Sequence, residues 1–305
     1  MHYIKDKMML LNKRIPASYI WNKVKYDLLY VLSVSLLVYY VTEKYKHFLP
    51  EMPFTIPAFL GTAISILLSF KISQSYERWW EARKVWGAIV NDSRSFVIQL
   101  QTLVGRGNEE LIKKIAFRQI AWCYCLGQSL RGLDPTSGLE KFICSEDLEA
   151  IKQHNNKALA LLQLHAHDIK DLKEDNQLND FGQVQLDNTL VRLCDAQGKS
   201  ERIKTTIFPV TYRLFLHAFI YLFVITLSIA LNNVAGIFEI PLLLIISCAF
   251  FLLEKSATHM QDPFENRPTD TAVTTIARTI EINIKQLLKE NQIPEPLKAE
   301  FFYSL

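Results

Sequence analysis

The sequence contains few cysteines and lacks the residue patterns on which most enzymes depend. Its 305 residues include five cysteines, and their spacing fits no zinc site. It has no glycine-rich phosphate loop, no nucleophile beside a plausible base and no zinc-protease helix motif. We therefore expect no enzyme activity, no cofactor and no bound metal. The thiols are expected to stay reduced and structural.

Concentrated positive charge is also missing. The chain carries 34 Lys and Arg against 31 Asp and Glu, and it has no polybasic tail. Nucleic-acid binding needs a strongly basic surface, so nucleic acid is not an expected partner. A cleavable signal peptide is not expected either, because the first apolar stretch begins only near Tyr26 and no small-residue cleavage site follows it.

The chain does have apolar stretches, arranged in two pairs on either side of a highly charged middle. A helix needs about 20 mostly apolar residues to cross a bilayer. Residues 28–42, 52–70 and 214–238 predict three such helices. Residues 240–253 are short for a full crossing unless residues 234–238 extend them.

The pattern between and after these spans predicts helices throughout. Apolar residues recur three and four apart in residues 85–103, 109–130, 146–164, 180–203 and 269–290, with Ser145 as the expected N-cap of the third helix. We predict an all-α membrane protein with six segments. They are a cytoplasmic N-terminal segment (1–25), a transmembrane pair (26–75), a cytoplasmic helical region (76–207), a second transmembrane pair (208–255), a cytoplasmic helix (256–292) and a flexible tail (293–305).

Basic residues near the span ends predict the orientation. Lys and Arg are frequent before the first span and after Phe70, whereas residues 232–239 contain none and the first connection has only Lys44 and Lys46. Positive charge is retained on the cytoplasmic side of a membrane. Both termini and the middle region should therefore be cytoplasmic, in the inner membrane of the cell.

The second span carries a polar stripe. On a helix Thr62, Ser65, Ile66, Ser69 and Ser73 fall in one band, with Phe70 on its flank. Lipid offers these hydroxyls no hydrogen-bond partner, so the stripe should face other protein or water. Two interpretations remain open. Helix packing by small residues is favoured by composition, and pore lining is the alternative.

Two further clusters have ordinary structural explanations. Arg78, Trp79, Trp80 and Trp86 suit anchoring at the cytoplasmic membrane interface, where Trp lies beside Lys and Arg. His165-Ala-His167-Asp168 is not expected to bind metal, because residues two apart on a helix point in different directions. We interpret this second cluster as a solvated helix end.

Several motifs taken in order resemble the bestrophin family, in its shorter prokaryotic branch. The resemblance covers about residues 10–290 and rests on Ile56-Pro57-Ala-Phe59, Ser-Phe70, Arg78-Trp79-Trp80-Glu81-Ala-Arg83-x-x-Trp86, Phe208-Pro209-Val-Thr-Tyr212 and Asp262-Pro263-Phe264. It implies a homopentameric ion channel in the lipid bilayer. Each subunit would have four membrane helices and a large cytoplasmic helical domain around one axial pore.

The resemblance also implies where ions meet a constriction. Alignment on Arg78-Trp79 places the family's hydrophobic neck at Thr62, Ile66 and Phe70, and Thr62 should leave its outer end wetter. The family's lower constriction falls near Phe181, with Leu178 as the alternative. In animal bestrophins an acidic run after the Asn-Pro-Phe element helps bind calcium. Here residues 265–270 include Arg267, so we predict no calcium clasp of that kind.

The function that follows is a passive channel for small inorganic ions. The family favours chloride and other small anions, but neutral neck residues do not fix the sign of the ion, so a sodium or potassium channel is a close alternative. A non-conducting membrane scaffold that binds a cytoplasmic partner is the alternative of another class. A transporter is disfavoured, because the two apolar pairs show no obvious repeat.

Overall fold

The computed structural model describes residues 16–45, 52–206, 209–235 and 238–298. The predictions for the basic residues before Pro16, for Pro50, for Phe208 and for the tail after residue 298 lie outside these residues. The described chain is all-α, as predicted, and contains no strand. Its helices are α1 Ala17–Lys44, α2 Thr55–Leu103, α3 Glu109–Leu130, a short 3-10 helix Leu139–Lys141, α4 Ser145–Lys152, α5 Lys157–Glu174, α6 Asp180–Thr205, α7 Val210–Ala235, α8 Glu239–Gln261 and α9 Val273–Leu287.

The chain divides into two units. The described residues between 16 and 78 and between 209 and 261 form the first, which we call the membrane unit. Residues 79–206 and 262–298 form the second, which we call the polar unit. The helix α2 contributes its first part to the membrane unit and its second part to the polar unit.

The structure confirms four helices that are long and apolar enough to cross a membrane. They are Ala17–Lys44, Thr55–Leu103, Thr211–Leu231 and Glu239–Gln261. The last of these helices contains residues 240–253, which by themselves are too few for a full crossing. It gains length beyond Leu253 rather than before Glu239, and its 23 residues extend about 35 Å at 1.5 Å per residue. That length covers the hydrocarbon core of a bilayer, which is about 30 Å thick.

The membrane unit has its own apolar core. The buried side chains come from α1, α2, α7 and α8, and they include Val31, Ile64, Ile220 and Phe251. Close packing of α2 against α7 depends on Gly61, because a Cβ atom there would lie 3.2 Å from the ring of Phe223. Gly61 therefore allows close packing of the two helices.

The polar unit is organised around α3. This helix packs against α5, α6 and α9, and its Trp122 is fully buried. Burial also raises the pKa of the Cys123 and Cys125 thiols to about 12, which keeps them protonated and unreactive. All five cysteines are free thiols.

Three predicted helix boundaries were wrong. The single helix expected over residues 146–164 is two helices, because α4 ends at Lys152 and a new helix, α5, starts at Lys157. Asn156 caps α5 by accepting a hydrogen bond from the Leu159 amide at 3.0 Å. Ser145 is the first residue of α4, and Cys144 holds the cap position without a side-chain bond. The last helix begins at Val273, because the Thr271 amide instead bonds the Pro263 carbonyl at 3.0 Å.

Candidate pore-lining face of the second helix

The membrane part of α2 has one buried face and one exposed face. Leu60, Ile64, Leu68, Lys71 and Ser75 are buried in the membrane unit, at the spacing of three and four that marks one side of a helix. The exposed face carries the predicted neck and stripe residues Thr62, Ser65, Ile66, Ser69, Phe70 and Ser73. The structure thus brings the predicted residues together on one surface of the single chain.

The apolar members of this face are open to the outside of the chain. Ile66 is 53% exposed and Phe70 is 64% exposed. Because they are four residues apart, they lie one above the other on the helix. From Thr62 to Phe70 the face extends about 12 Å along the helix axis, at 1.5 Å per residue.

The hydroxyl groups of the stripe differ in their bonding. Thr62 donates to the Ala58 carbonyl at 2.9 Å and Ser65 to the Gly61 carbonyl at 2.8 Å. Such bonds to the preceding turn satisfy the hydroxyl proton inside the helix. Within the described chain Ser69 and Ser73 have no such bond, so this end of the stripe keeps hydroxyls that can serve water or a neighbouring protein.

A groove lies along one edge of the stripe. It has a volume of about 260 Å³ and is lined by Ser65, Leu68, Ser69 and Ile72 of α2 and by Phe250 and Leu253 of α8. Ser65 and Ser69 therefore face the α8 side of the helix. Ile66 and Phe70 do not line this groove.

An ion pair lies on the buried face of α2. The Lys71 ammonium is 2.6 Å from the Glu254 carboxylate and donates to the Thr258 hydroxyl at 2.8 Å. Thr258 donates in turn to Glu254 at 2.9 Å, and His217 Nε2 lies 3.5 Å from the other carboxylate oxygen. The sequence analysis missed this cluster. The sequence does contain a signal for it, because Lys71 and Glu254 each directly follow an uncharged span. A charge in apolar surroundings needs a partner, and these two have opposite signs.

The predicted interface anchors separate into different roles. Arg78 donates to the Gln261 carbonyl at 2.8 Å within the membrane unit. Trp79 donates to the Thr269 carbonyl at 2.9 Å within the polar unit. Trp80 is exposed, as an anchor must be, but Trp86 is fully buried in the core of the polar unit. The anchor interpretation of Trp86 was therefore wrong.

The two candidates for the lower constriction have opposite environments. Phe181 is 88% exposed in the first turn of α6. Leu178 is 3% exposed and belongs to the core of the polar unit. A side chain that lines a pore must reach solvent, so Leu178 does not qualify and Phe181 remains.

The predicted solvated helix end was also wrong. His165 is fully buried with its ring edge-on to Phe96, and this burial lowers its pKa well below the ordinary value. Asp168 accepts a hydrogen bond from the buried guanidinium of Arg118, which also bonds Asp147 at 2.7 Å. Of the three polar side chains in this cluster, only that of His167 is exposed.

The Asp-Pro-Phe element is part of the core of the polar unit. Phe264 is fully buried, and the Asp262 side chain accepts a hydrogen bond from its amide at 3.2 Å. The Lys204 ammonium joins Asp262 at 2.9 Å to Glu265 at 2.6 Å. These two carboxylates are thus held together by an ammonium group of the chain itself. Nowhere in the described residues do three or more His, Cys, Asp or Glu side chains gather closely enough to hold a metal ion.

Comparison with known proteins identifies the fold. The family profile described as "Bacterial/Fungal Bestrophin protein" matches residues 5–286. The voltage-dependent anion channel-forming protein YneE of Escherichia coli K12 is 29% identical over 286 residues, which cover 93% of both chains. Its namesake in Salmonella typhi is 30% identical over 269 residues, or 88% of this chain and 86% of that one.

A solved structure agrees with these sequence matches. The bacterial bestrophin homolog from Klebsiella pneumoniae superposes with a TM-score of 0.83 at 27% identity, over 88% of this chain and 100% of the other. Sequence and structure therefore lead to the same result. This chain belongs to the bestrophin family, whose members are ion channels and not enzymes.

Proposed function

We propose that the chain is one subunit of a passive homopentameric channel for small monovalent ions, with both termini in the cytoplasm. The observation that carries this proposal is the exposed face of α2, where Ile66 and Phe70 stand beside a stripe of hydroxyls. A face of this composition suits a water-filled axis better than lipid. The same face repeated by rotation gives a closed ring.

The barrier in this channel is a hydrophobic neck. Ile66 and Phe70 of each subunit form two stacked rings in which an ion loses water and gains no oxygen ligand in return. Thr62 forms a third ring at one end, and its oxygen makes that end easier to hydrate. Phe181 forms a separate, lower ring in the polar unit.

The permeant ion is proposed to be a small anion such as chloride. The relatives from Escherichia coli and Salmonella carry the name of voltage-dependent anion channel-forming proteins, and this supports the anion. The neck side chains are neutral and do not themselves select a charge. A sodium or potassium channel of the same architecture is therefore the second outcome that the experiment must distinguish.

The test is ion flux through the purified protein in liposomes under separate chloride, sodium and potassium gradients. We expect Ile66→Ala and Phe70→Ala to raise the flux, because smaller rings are easier to hydrate. Matched controls are Ile245→Ala on α8 and Phe215→Ala on α7, which remove the same side chains from exposed span positions outside α2. Both controls should conduct like the wild type.

The reversal potential gives the sign of the ion. Equal flux in all four variants and the wild type would remove Ile66 and Phe70 as the barrier. No flux in the wild type or in Ile66→Ala, from protein shown to be an intact oligomer, would contradict the channel and favour the membrane scaffold.

A further inference from the structure

A second cavity lies within the membrane unit, away from the exposed face of α2. Its volume is about 320 Å³, and it is lined by Arg213, Leu214 and His217 of α7 and by Glu254, Lys255 and Thr258 of α8. Sites for small molecules occupy about 300–1,000 Å³. The cavity is therefore large enough for a compact polar group.

The position of the cavity in the sequence places it where two spans end. Arg213 immediately precedes residues 214–238, which contain no Asp, Glu, Lys or Arg. Glu254 and Lys255 immediately follow residues 240–253, which are also free of charge. Charged residues that border uncharged spans lie at the level of the lipid headgroups. The cavity thus opens at headgroup level.

One of the cations that line the cavity has no counter-charge among the described residues. Glu254 is compensated by Lys71 at 2.6 Å, and Lys255 is compensated by Asp27 at 3.2 Å. Arg213 is exposed and forms no ion pair with any residue that the structure describes. The cavity therefore carries an uncompensated positive charge on the guanidinium group of Arg213.

We propose that this cavity binds a phosphate ester with one negative charge, of the kind found in the headgroup of an anionic glycerophospholipid. The planar guanidinium of Arg213 presents paired N–H donors that match two phosphate oxygens. His217 adds a ring nitrogen on the same wall, and Leu214 offers apolar surface to the glycerol. Basic pockets between membrane helices bind phospholipid headgroups by this chemistry. The site does not depend on the pore.

The test uses the full-length oligomer in detergent. Retention of phosphatidylglycerol and of phosphatidylcholine with the same acyl chains is measured by native mass spectrometry, with melting temperature as a second readout. We expect the wild type to prefer phosphatidylglycerol, because the choline ammonium is repelled by Arg213. Arg213→Gln should weaken phosphatidylglycerol binding roughly tenfold, as expected for the loss of one charge-assisted pair.

The matched control is Arg106→Gln, which removes an exposed arginine of the polar unit outside the cavity. It should bind phosphatidylglycerol like the wild type. Lys255→Gln is a second test variant, since it leaves Asp27 uncompensated beside the cavity and should also weaken the binding. Arg213→Lys keeps the charge without the fork and should retain part of the affinity.

A soluble probe, glycerol 1-phosphate, identifies the source of the phosphate. Displacement of the lipid by the soluble ester at similar concentration would support a phosphate site that takes a free metabolite. Failure to displace it would support a lipid ligand. Equal binding of the two lipids by the wild type would overturn the proposal, as would equal losses in Arg213→Gln and Arg106→Gln.

Discussion

Lys71 and Glu254 form an ion pair at 2.6 Å between side chains that are 0% and 1% exposed, although 183 residues separate them in the chain. The pair fastens α2 to α8 inside the membrane unit. Thr258 bonds both partners, so the ammonium and the carboxylate each have more than one hydrogen bond. This bonding offsets the cost of removing two charges from water.

The first prediction concerns the loss of one partner from this pair. Glu254→Gln should lower the free energy of unfolding by about 3–5 kcal/mol, because it leaves the Lys71 ammonium buried without a counter-charge. Chemical unfolding of the detergent-solubilised protein measures this loss. The double variant Lys71→Met with Glu254→Leu should be more stable than Glu254→Gln alone. If the double variant is the least stable of all, the buried charge is not the cause.

The second prediction separates the two candidates for the lower constriction. Phe181→Ala should change ion flux with little loss of stability, because this side chain is 88% exposed. Leu178→Ala should instead lower the free energy of unfolding by about 2–5 kcal/mol, because it opens a cavity in the core. Liposome flux and thermal unfolding are measured on both variants. Unaltered flux in Phe181→Ala would exclude this ring as a barrier.

The third prediction concerns acid sensitivity. Burial, and to a smaller extent the neighbouring Arg118, lower the pKa of His165 well below its unfolded value of about 6.5. The folded state favours neutral His165, so its contribution to the free energy of unfolding is complete above about pH 6.5. It is lost as the pH falls below that value, by up to about 1.4 kcal/mol per pH unit.

His165→Phe should make stability depend less on pH between about 6.5 and 5, since it removes the group that must stay neutral. The exposed His167→Phe on the same helix is the control and should keep the wild-type dependence. Melting temperatures at several pH values measure both variants. The same slope in His165→Phe and the wild type would assign the acid sensitivity to other groups.

The fourth prediction concerns the lysine between two carboxylates. Lys204→Gln should cost about 1 kcal/mol, a modest value because all three side chains are partly exposed and solvent screens them. It leaves Asp262 and Glu265 facing each other without the ammonium group between them, and the Arg267 guanidinium, 3.7 Å from Glu265, remains as a cation beside them. Calcium at about millimolar concentration should restore part of the melting temperature of this variant.

Lys199→Gln is the control for this experiment, because Lys199 pairs with Asp195 one turn away on the helix surface and not with Asp262 or Glu265. It should change stability little and should not respond to calcium. An equal response to calcium in the wild type would show that the effect does not come from the vacated position between the carboxylates.

Much of the membrane unit could be predicted from the sequence. The spans follow from the length of uncharged segments, and the exposed face of α2 follows from residues three and four apart. Both are local properties of a helix, so they need no knowledge of its neighbours. The prediction placed Thr62, Ile66 and Phe70 on one face, and the structure leaves that face exposed.

The errors arose where burial is decided by distant segments. Trp86, Leu178 and His165 have sequence surroundings that suit a surface, yet each is buried in the polar unit. Their environment depends on helices far away in the chain, because a side chain becomes core only when another element covers it. No local pattern carries that information.

The sequence by itself determined that this protein is an all-α membrane protein with paired apolar spans and a striped second helix, since hydropathy and helical period are sufficient for both. The full length of the fourth span came from the structure. Only the tertiary structure decided which charges are paired, as with Lys71 and Glu254, and which side chains are covered. The physical reason is that electrostatic compensation and burial are properties of pairs of segments. Such pairs are set by packing and not by the order of residues in either segment alone.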